Sequence, residues 1–194
     1  IYMFEKRGDE FVLIKKSKDS IDKSDFENVM KSAHNFEVNL IPAIAGMGKS
    51  TLFTSLSQKI KNLNSKLWVI KIDLNSASPK LKTMNCQNMK FDDVVDFLHQ
   101  MAKHDSELEK KMFKQYLQMG KVVLFLDAFD EICPNYKPVV IKIIKNIKEN
   151  AKIKKIFIST RPHDSILIDL KISFTDISLN YYVIDPFTED NRKE

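Results

Sequence analysis

Ala43-Ile44-Ala45-Gly46-Met47-Gly48-Lys49-Ser50-Thr51 follows the apolar run Val38 to Ile41 and precedes a stretch carrying Leu52, Phe53, Leu56 and Ile60 on one helical side. A strand that ends in a small-residue turn and then opens a helix aims several backbone N–H groups, and the positive end of the helix dipole, at one point. An anion fits there. Gly46 and Gly48 supply backbone conformations and a close approach that a side chain would block. Lys49 would place its charge on the β and γ phosphates of a nucleotide, and Ser50 would hold Mg²⁺. Residues 43–51 are therefore expected to form a phosphate-binding loop. The pattern G-x-x-x-x-G-K-[ST] asks for glycine at its first position, where this chain has Ala43.

The apolar periods on either side of the loop alternate between strand and helix. Phe36 to Ile41 reads as a buried strand, Lys49 to Leu63 as the helix opened by the loop, and Leu67 to Leu74 as a second strand. Asp73 to Pro79 is rich in Asn, Ser and Pro and is expected to be a loop. Phe91, Val94, Val95, Leu98, Met101 and Ala102 step at three and four, which predicts a helix. A further helix through Leu108, Met112, Phe113, Tyr116 and Leu117 is expected to close at Gly120. Asn135 to Ala151 predicts another, and Leu179 to Ile184 a closing strand. Ahead of these, Ile1 to Ser17 suggests a hairpin about Gly8-Asp9, and Lys18 to Asn35 a loop with a short helix capped by Asp25.

Lys121 to Glu131 reads KVVLFLDAFDE, and the unbroken run Val122 to Leu126 is that of a parallel strand covered on both faces. A carboxylate at the end of such a strand is costly unless compensated, so Asp127 is expected to face Mg²⁺ shared with Ser50 and the phosphates. Asp130 and Glu131 follow a small and an apolar residue. Placed just beyond the metal shell, they could orient and deprotonate a water attacking the γ-phosphate; the alternative is a solvated turn or the charge of a helix start. Ile153 to Thr160 predicts a strand that ends at Arg161-Pro162. Arg161 could then neutralise a γ-phosphate, or pair with an acid such as Asp164 or Asp130.

The 194 residues suffice for one well-buried α/β domain, and 43% hydrophobic residues agree with a globular chain. Cys86 and Cys133 have no C-x-x-C or histidine-rich context, which points to a reducing compartment without a zinc site. No apolar run reaches the roughly 18 residues of a membrane span and no signal segment opens the chain, so no membrane role and a cytoplasmic setting are expected. The net charge is +5, yet arginine occurs only at Arg7, Arg161 and Arg192, and no aromatics interleave with the lysines. A nucleic-acid partner is not favoured on that basis. His34, His99 and His104 have no metal-binding spacing and are expected to be surface or interface residues rather than ligands.

The loop AIAGMGKST, the acidic strand LFLDAFDE, the strand end FISTRP and the closing VIDPFTEDNRKE together resemble the NACHT family of P-loop NTPases (STAND class), the nucleotide switch of NOD-like receptors. The resemblance covers residues 36–194. It implies an α/β, three-layer P-loop NTPase fold with a five-stranded, mainly parallel sheet, in which the arginine strand separates the loop strand from the acidic strand. It implies binding of ATP or GTP with Mg²⁺, slow hydrolysis, and self-association through this domain in the triphosphate state. Lys49, Ser50 and Thr51 would hold phosphate and metal, Asp127 would hold the metal sphere, Asp130 with Glu131 would activate water, and Arg161 would act as sensor. Residues 1–35 would be a lead-in, 36–186 the NTPase core, and 187–194 the start of a following helical piece. Ala43 and Ala128 stand where the family commonly has glycine; Ala128 keeps its position small, whereas Ala43 departs from the loop motif itself.

Four other readings compete. A small-molecule kinase needs an arginine-rich lid that three arginines hardly supply, and a GTPase lacks its Asn-Lys-x-Asp motif here. A non-catalytic nucleotide-binding or interaction scaffold is the main alternative from another class. A nucleic-acid-stimulated ATPase rests on charge alone.

Overall fold

Val122–Asp127 is buried at every position, and so is Lys155–Thr160. Strands with no exposed face must lie inside a sheet covered by helices on both sides. The computed structural model describes residues 2–7, 10–15, 37–102, 106–132 and 134–184, and places these two strands side by side near the middle of one sheet. In chain order the strands are β1 (Tyr2–Arg7), β2 (Glu10–Lys15), β3 (Glu37–Pro42), β4 (Trp68–Asp73), β5 (Val122–Asp127), β6 (Lys155–Thr160) and β7 (Ser178–Ile184). The helices among the described residues are α1 (Lys49–Leu63), α2 (Leu74–Thr83), α3 (Phe91–Met101), α4 (Glu107–Gln118), α5 (Lys137–Asn150) and α6 (Asp164–Ser173).

The sheet order is β1-β2-β7-β3-β6-β5-β4. The five strands β7, β3, β6, β5 and β4 are all parallel, and β6 lies between β3 and β5, the order that the resemblance implies. The expected hairpin is present as the antiparallel pair β1–β2, and β2 joins β7 in parallel, so the hairpin lengthens the sheet.

Strand alternation divides the core in two. Val69, Val123, Phe125, Phe157 and Ile41 face α1, where they meet Leu52, Phe53 and Ile60. Phe53 sets its edge on Phe125 at 5.1 Å, and Phe125 stacks on Phe157 at 4.8 Å, so an aromatic column pins α1 to the sheet centre. Val38, Leu40, Ile70, Ile72, Leu124 and Ile158 face the other way, against α2 to α6. Asn39 is buried in β3; its amide donates to Ile156 O at 2.9 Å and its oxygen accepts from Asn180, which locks β3 between its two neighbours.

Two stretches differ from the sequence reading. The expected loop at Asp73 to Pro79 is instead the start of α2: Asp73 caps it by accepting from Asn75 N at 3.0 Å and from Ser76 Oγ. The polar residues that suggested a loop occupy a first turn, while Leu74, Ala77 and Leu81 bury one stripe. Pro79 forfeits only the bond to the carbonyl of Asn75, an exposed residue. Helix α6 was not anticipated; Ile166, Leu170 and Phe174 bury at intervals of four, while Ile168 and Ile172 stay exposed. Gly120, by contrast, ends α4 as expected. At φ 68° it donates to Leu117 O while Lys121 N reaches Tyr116 O, the paired bonds of a Schellman motif. The short helix capped by Asp25, the Gly8-Asp9 turn, His34, His104, Cys133 and the closing residues 185–194 lie outside the described residues.

Candidate functional site

The loop between β3 and α1 crosses the carboxyl edge of the sheet beside the end of β6. Ala43 is buried and its N–H donates to Thr160 O at 3.0 Å. Gly46 and Gly48 take φ of 81° and 78°, the left-handed region, so glycine is needed there for backbone conformation; a Cβ would meet nothing within 4 Å. Ala43 is not among the residues at positive φ, so its backbone makes no demand for glycine. Helix α1 has no acid in its first turn, leaving its positive end uncompensated by its own side chains. Ile44, Ala45 and Gly46 are exposed, Met47 and Gly48 partly so, and Ser50 and Thr51 face solvent. Lys49 arches back along the loop, and its Nζ donates to Ala43 O at 2.7 Å and Ile44 O at 3.2 Å.

Asp127 ends β5 on the face shared with Val123 and Phe125, the face of α1. Only 3% of it is exposed. Its Oδ1 accepts from Ser159 Oγ and from Ala128 N at 3.1 Å, and Ser159 Oγ in turn accepts from Ala128 N at 2.9 Å. Its Oδ2 faces Lys71 Nζ at 3.8 Å. Lys71 comes from β4 and donates to Thr54 Oγ1 at 2.6 Å and to Ser50 O at 3.1 Å, so one ammonium joins the start of α1 to the buried carboxylate.

The chain then turns sharply. Ala128 has φ 62°, the one positive value at a non-glycine among the described residues. Phe129 N donates to Ser159 O at 3.0 Å, and Phe129 and Ile132 are buried. These two anchors explain the pattern of acid, small residue, apolar residue, acidic pair: the apolar ring holds the turn down so that the acids return to the strand edge. Arg161 Nε contacts Asp130 Oδ2 at 2.8 Å, and its Nη2 lies 4.0 Å from Glu131 Oε1. The Asp130 side chain is 4% exposed, and its Oδ1 is buried without a hydrogen-bond partner among the described residues. Of the two acids considered for Arg161, Asp130 is the one it meets; the side chain of Asp164 lies outside the described residues.

The fold thus gathers the loop 43–51, Asp127, Asp130, Glu131 and Arg161 along the carboxyl ends of β3, β6 and β5. Two residues with no role in the sequence reading join them, Lys71 and Ser159. Counting by twos from the buried Val69 and Phe157 places both on the α1 face, but that count needs the face of each strand to be known. For a metal, Ser50 and Asp127 offer a hydroxyl and a carboxylate oxygen, the hard donors that suit Mg²⁺. Asp127 Oδ2, which accepts no hydrogen bond from the described residues and faces Lys71 at 3.8 Å, is the open donor. No three of the described His, Cys, Asp and Glu residues cluster as a metal site of their own. His99, expected at a surface or interface, is instead buried on α3 against Phe113, and Cys86 is a free, half-buried thiol.

A family model described as Nephrocystin 3, N-terminal, matches residues 17–161, which takes in the loop, the acidic strand and the strand-end arginine. No curated protein sequence matches the chain. Among solved structures, the chain is similar to a Drosophila ORC bound to poly(dA/dT) DNA and Cdc6, with a TM-score of 0.55 and 12% identity over 84% of this chain and 28% of that one. It is also similar to domain III of the Thermotoga maritima replication initiation protein DnaA, with a TM-score of 0.51 and 16% identity over 88% of this chain and 64% of that one. Less than two thirds of either chain is spanned, and the likeness is one of fold. No helix among the described residues is long and apolar enough to cross a membrane.

Proposed function

The chain belongs to the family described as Nephrocystin 3, N-terminal, and from that premise we propose that it is a nucleotide-binding domain that hydrolyses ATP or GTP slowly and serves as a switch. The observation that carries this reading is the loop itself: two left-handed glycines at the uncompensated start of α1, with Lys49 folded over the loop carbonyls, beside a buried acid at the end of β5. Residues 43–51 would wrap the phosphates with backbone N–H groups, and Lys49 would exchange its two carbonyl contacts for phosphate oxygens. Ser50 and Asp127 would hold Mg²⁺, which would neutralise charge developing on the phosphates. Asp130, with Glu131 beside it, would orient the attacking water and accept its proton. Arg161 would release Asp130 when a γ-phosphate competes for its guanidinium. The sheet order with β6 between β3 and β5 agrees with the P-loop NTPase fold of this reading; in its finer, NACHT-like version, the domain would control self-association in a cytoplasmic signalling protein.

Fluorescent ATP and GTP binding with Mg²⁺, measured beside phosphate release, tests the proposal. Lys49→Ala removes a charge-assisted contact and should weaken binding by about 10- to 100-fold. Asp130→Ala should retain binding and lose release. A folded chain that binds neither nucleotide would instead favour the scaffold reading, which the internal partners of Lys49, Asp127 and Asp130 also allow. Turnover that rises with added DNA and falls steeply with salt would favour the nucleic-acid reading.

A further inference from the structure

Lys71 stands on the α1 face of the sheet, paired in register with Phe125 and flanked on its own strand by the buried Val69 and by Asp73, the exposed capping acid of α2. Burying a lysine stem against this face is ordinary, because the long apolar stem packs and the head reaches out. The head stays partly exposed but is not left to solvent alone. It turns toward the phosphate loop, bonds Thr54 Oγ1 and Ser50 O, and brings its charge to 3.8 Å from Asp127 Oδ2. That oxygen is the one left open by Ser159 and Ala128, and Ser50 is the residue expected to share a metal with it.

The geometry points to Lys71 as a resident counter-cation of the metal site, one that a divalent ion must displace from Asp127. This rests on the nucleotide reading above. Without metal, the ammonium compensates a carboxylate that is nearly excluded from water, which would otherwise be costly. With metal, the same ammonium is a like charge beside the incoming ion, so the four-carbon stem must swing its head away or the ion binds weakly. The site would therefore demand more Mg²⁺ than one with a neutral residue on β4, and nucleotide loading would depend on metal concentration through a residue that does not itself hold the metal. A lysine that only ties α1 to β4 would stabilise the fold regardless of Asp127 and would leave metal demand unchanged.

The two roles separate in the intact chain carrying Lys71→Met, Lys71→Gln, Asp127→Asn, or Lys71→Met with Asp127→Asn. The first measurement is thermal stability in EDTA without nucleotide. Lys71→Met should lower the Tm, and the loss should largely vanish on the Asp127→Asn background. The second is the Mg²⁺ concentration giving half-maximal binding of fluorescent ATP, which should fall by about tenfold in Lys71→Met and Lys71→Gln as the like charge is removed. Lys71→Gln retains a donor for Thr54 and covers the case in which Lys71→Met fails to fold. Mg²⁺-dependent binding whose midpoint does not move in either Lys71 variant would overturn this inference alone. Binding that is absent or independent of Mg²⁺ in the unaltered chain would overturn the reading of the site and this inference with it. A Tm loss of equal size on both Asp127 backgrounds would reduce Lys71 to a tie between α1 and β4.

Discussion

Ala128 shows at the scale of one residue why the two departures from glycine carry unequal weight. The sequence comparison gives more cause for concern at Ala43, inside the loop motif. In the fold, Ala43 is buried without a left-handed backbone, and Ala128 is the alanine at φ 62°. A Cβ in that region crowds the following carbonyl and costs about 1–2 kcal/mol, and the position persists because Ser159 and Phe129 hold the turn from both sides. Ala128→Gly should therefore stabilise the chain by about 0.5–1 kcal/mol, the relief of strain being partly offset by greater freedom of the unfolded chain. Ala128→Val should destabilise it by about 1–3 kcal/mol. Urea unfolding midpoints at constant slope check both, and a glycine variant less stable than the parent would show that the turn carries no strain.

At the scale of elements, helices α1 and α2 start by different devices. Helix α1 opens on a left-handed glycine with no side-chain cap, which leaves its first N–H groups free for an anion. Helix α2 opens on Asp73, whose carboxylate takes the N–H of Asn75 and the hydroxyl of Ser76. Asp73→Ala should cost about 0.5–2 kcal/mol and Asp73→Asn far less, read again from the urea midpoint. The contrast also accounts for the misread stretch. Asn, Ser and Pro mark a loop when counted as composition, but after a capping aspartate the same residues fit a first turn, provided that Leu74, Ala77 and Leu81 have a core to enter. Helix α6 poses the same difficulty, since its single stripe of Ile166, Leu170 and Phe174 competes in sequence with Ile168 and Ile172.

At the scale of the whole molecule, the loop, the acidic strand and the strand-end arginine lie together only because β6 is inserted between β3 and β5. On the proposed function, Mg²⁺-nucleotide would bind the folded chain and not the unfolded one. At a hundredfold excess over Kd it would then add about 2.7 kcal/mol of stability and raise the Tm by roughly 5–10 °C. Lys49→Ala should abolish most of that rise. A Tm that nucleotide leaves unchanged in the parent chain would count against the site as a whole.

The sequence by itself determined what is local in the chain. The glycine spacing and the apolar period after it place the start of α1 at Lys49, the unbroken run before Asp127 marks a central strand, and Gly120 marks the end of α4. Each of these depends on bonds and periods closed within a turn or two. Only the tertiary structure decided that Arg161 meets Asp130, that Ser159 steadies Asp127, and that Lys71 reaches across from β4 to the same carboxylate. These contacts join strands far apart in sequence, and strand order is set by how the whole sheet buries its two faces, a global packing condition that no local run of residues contains.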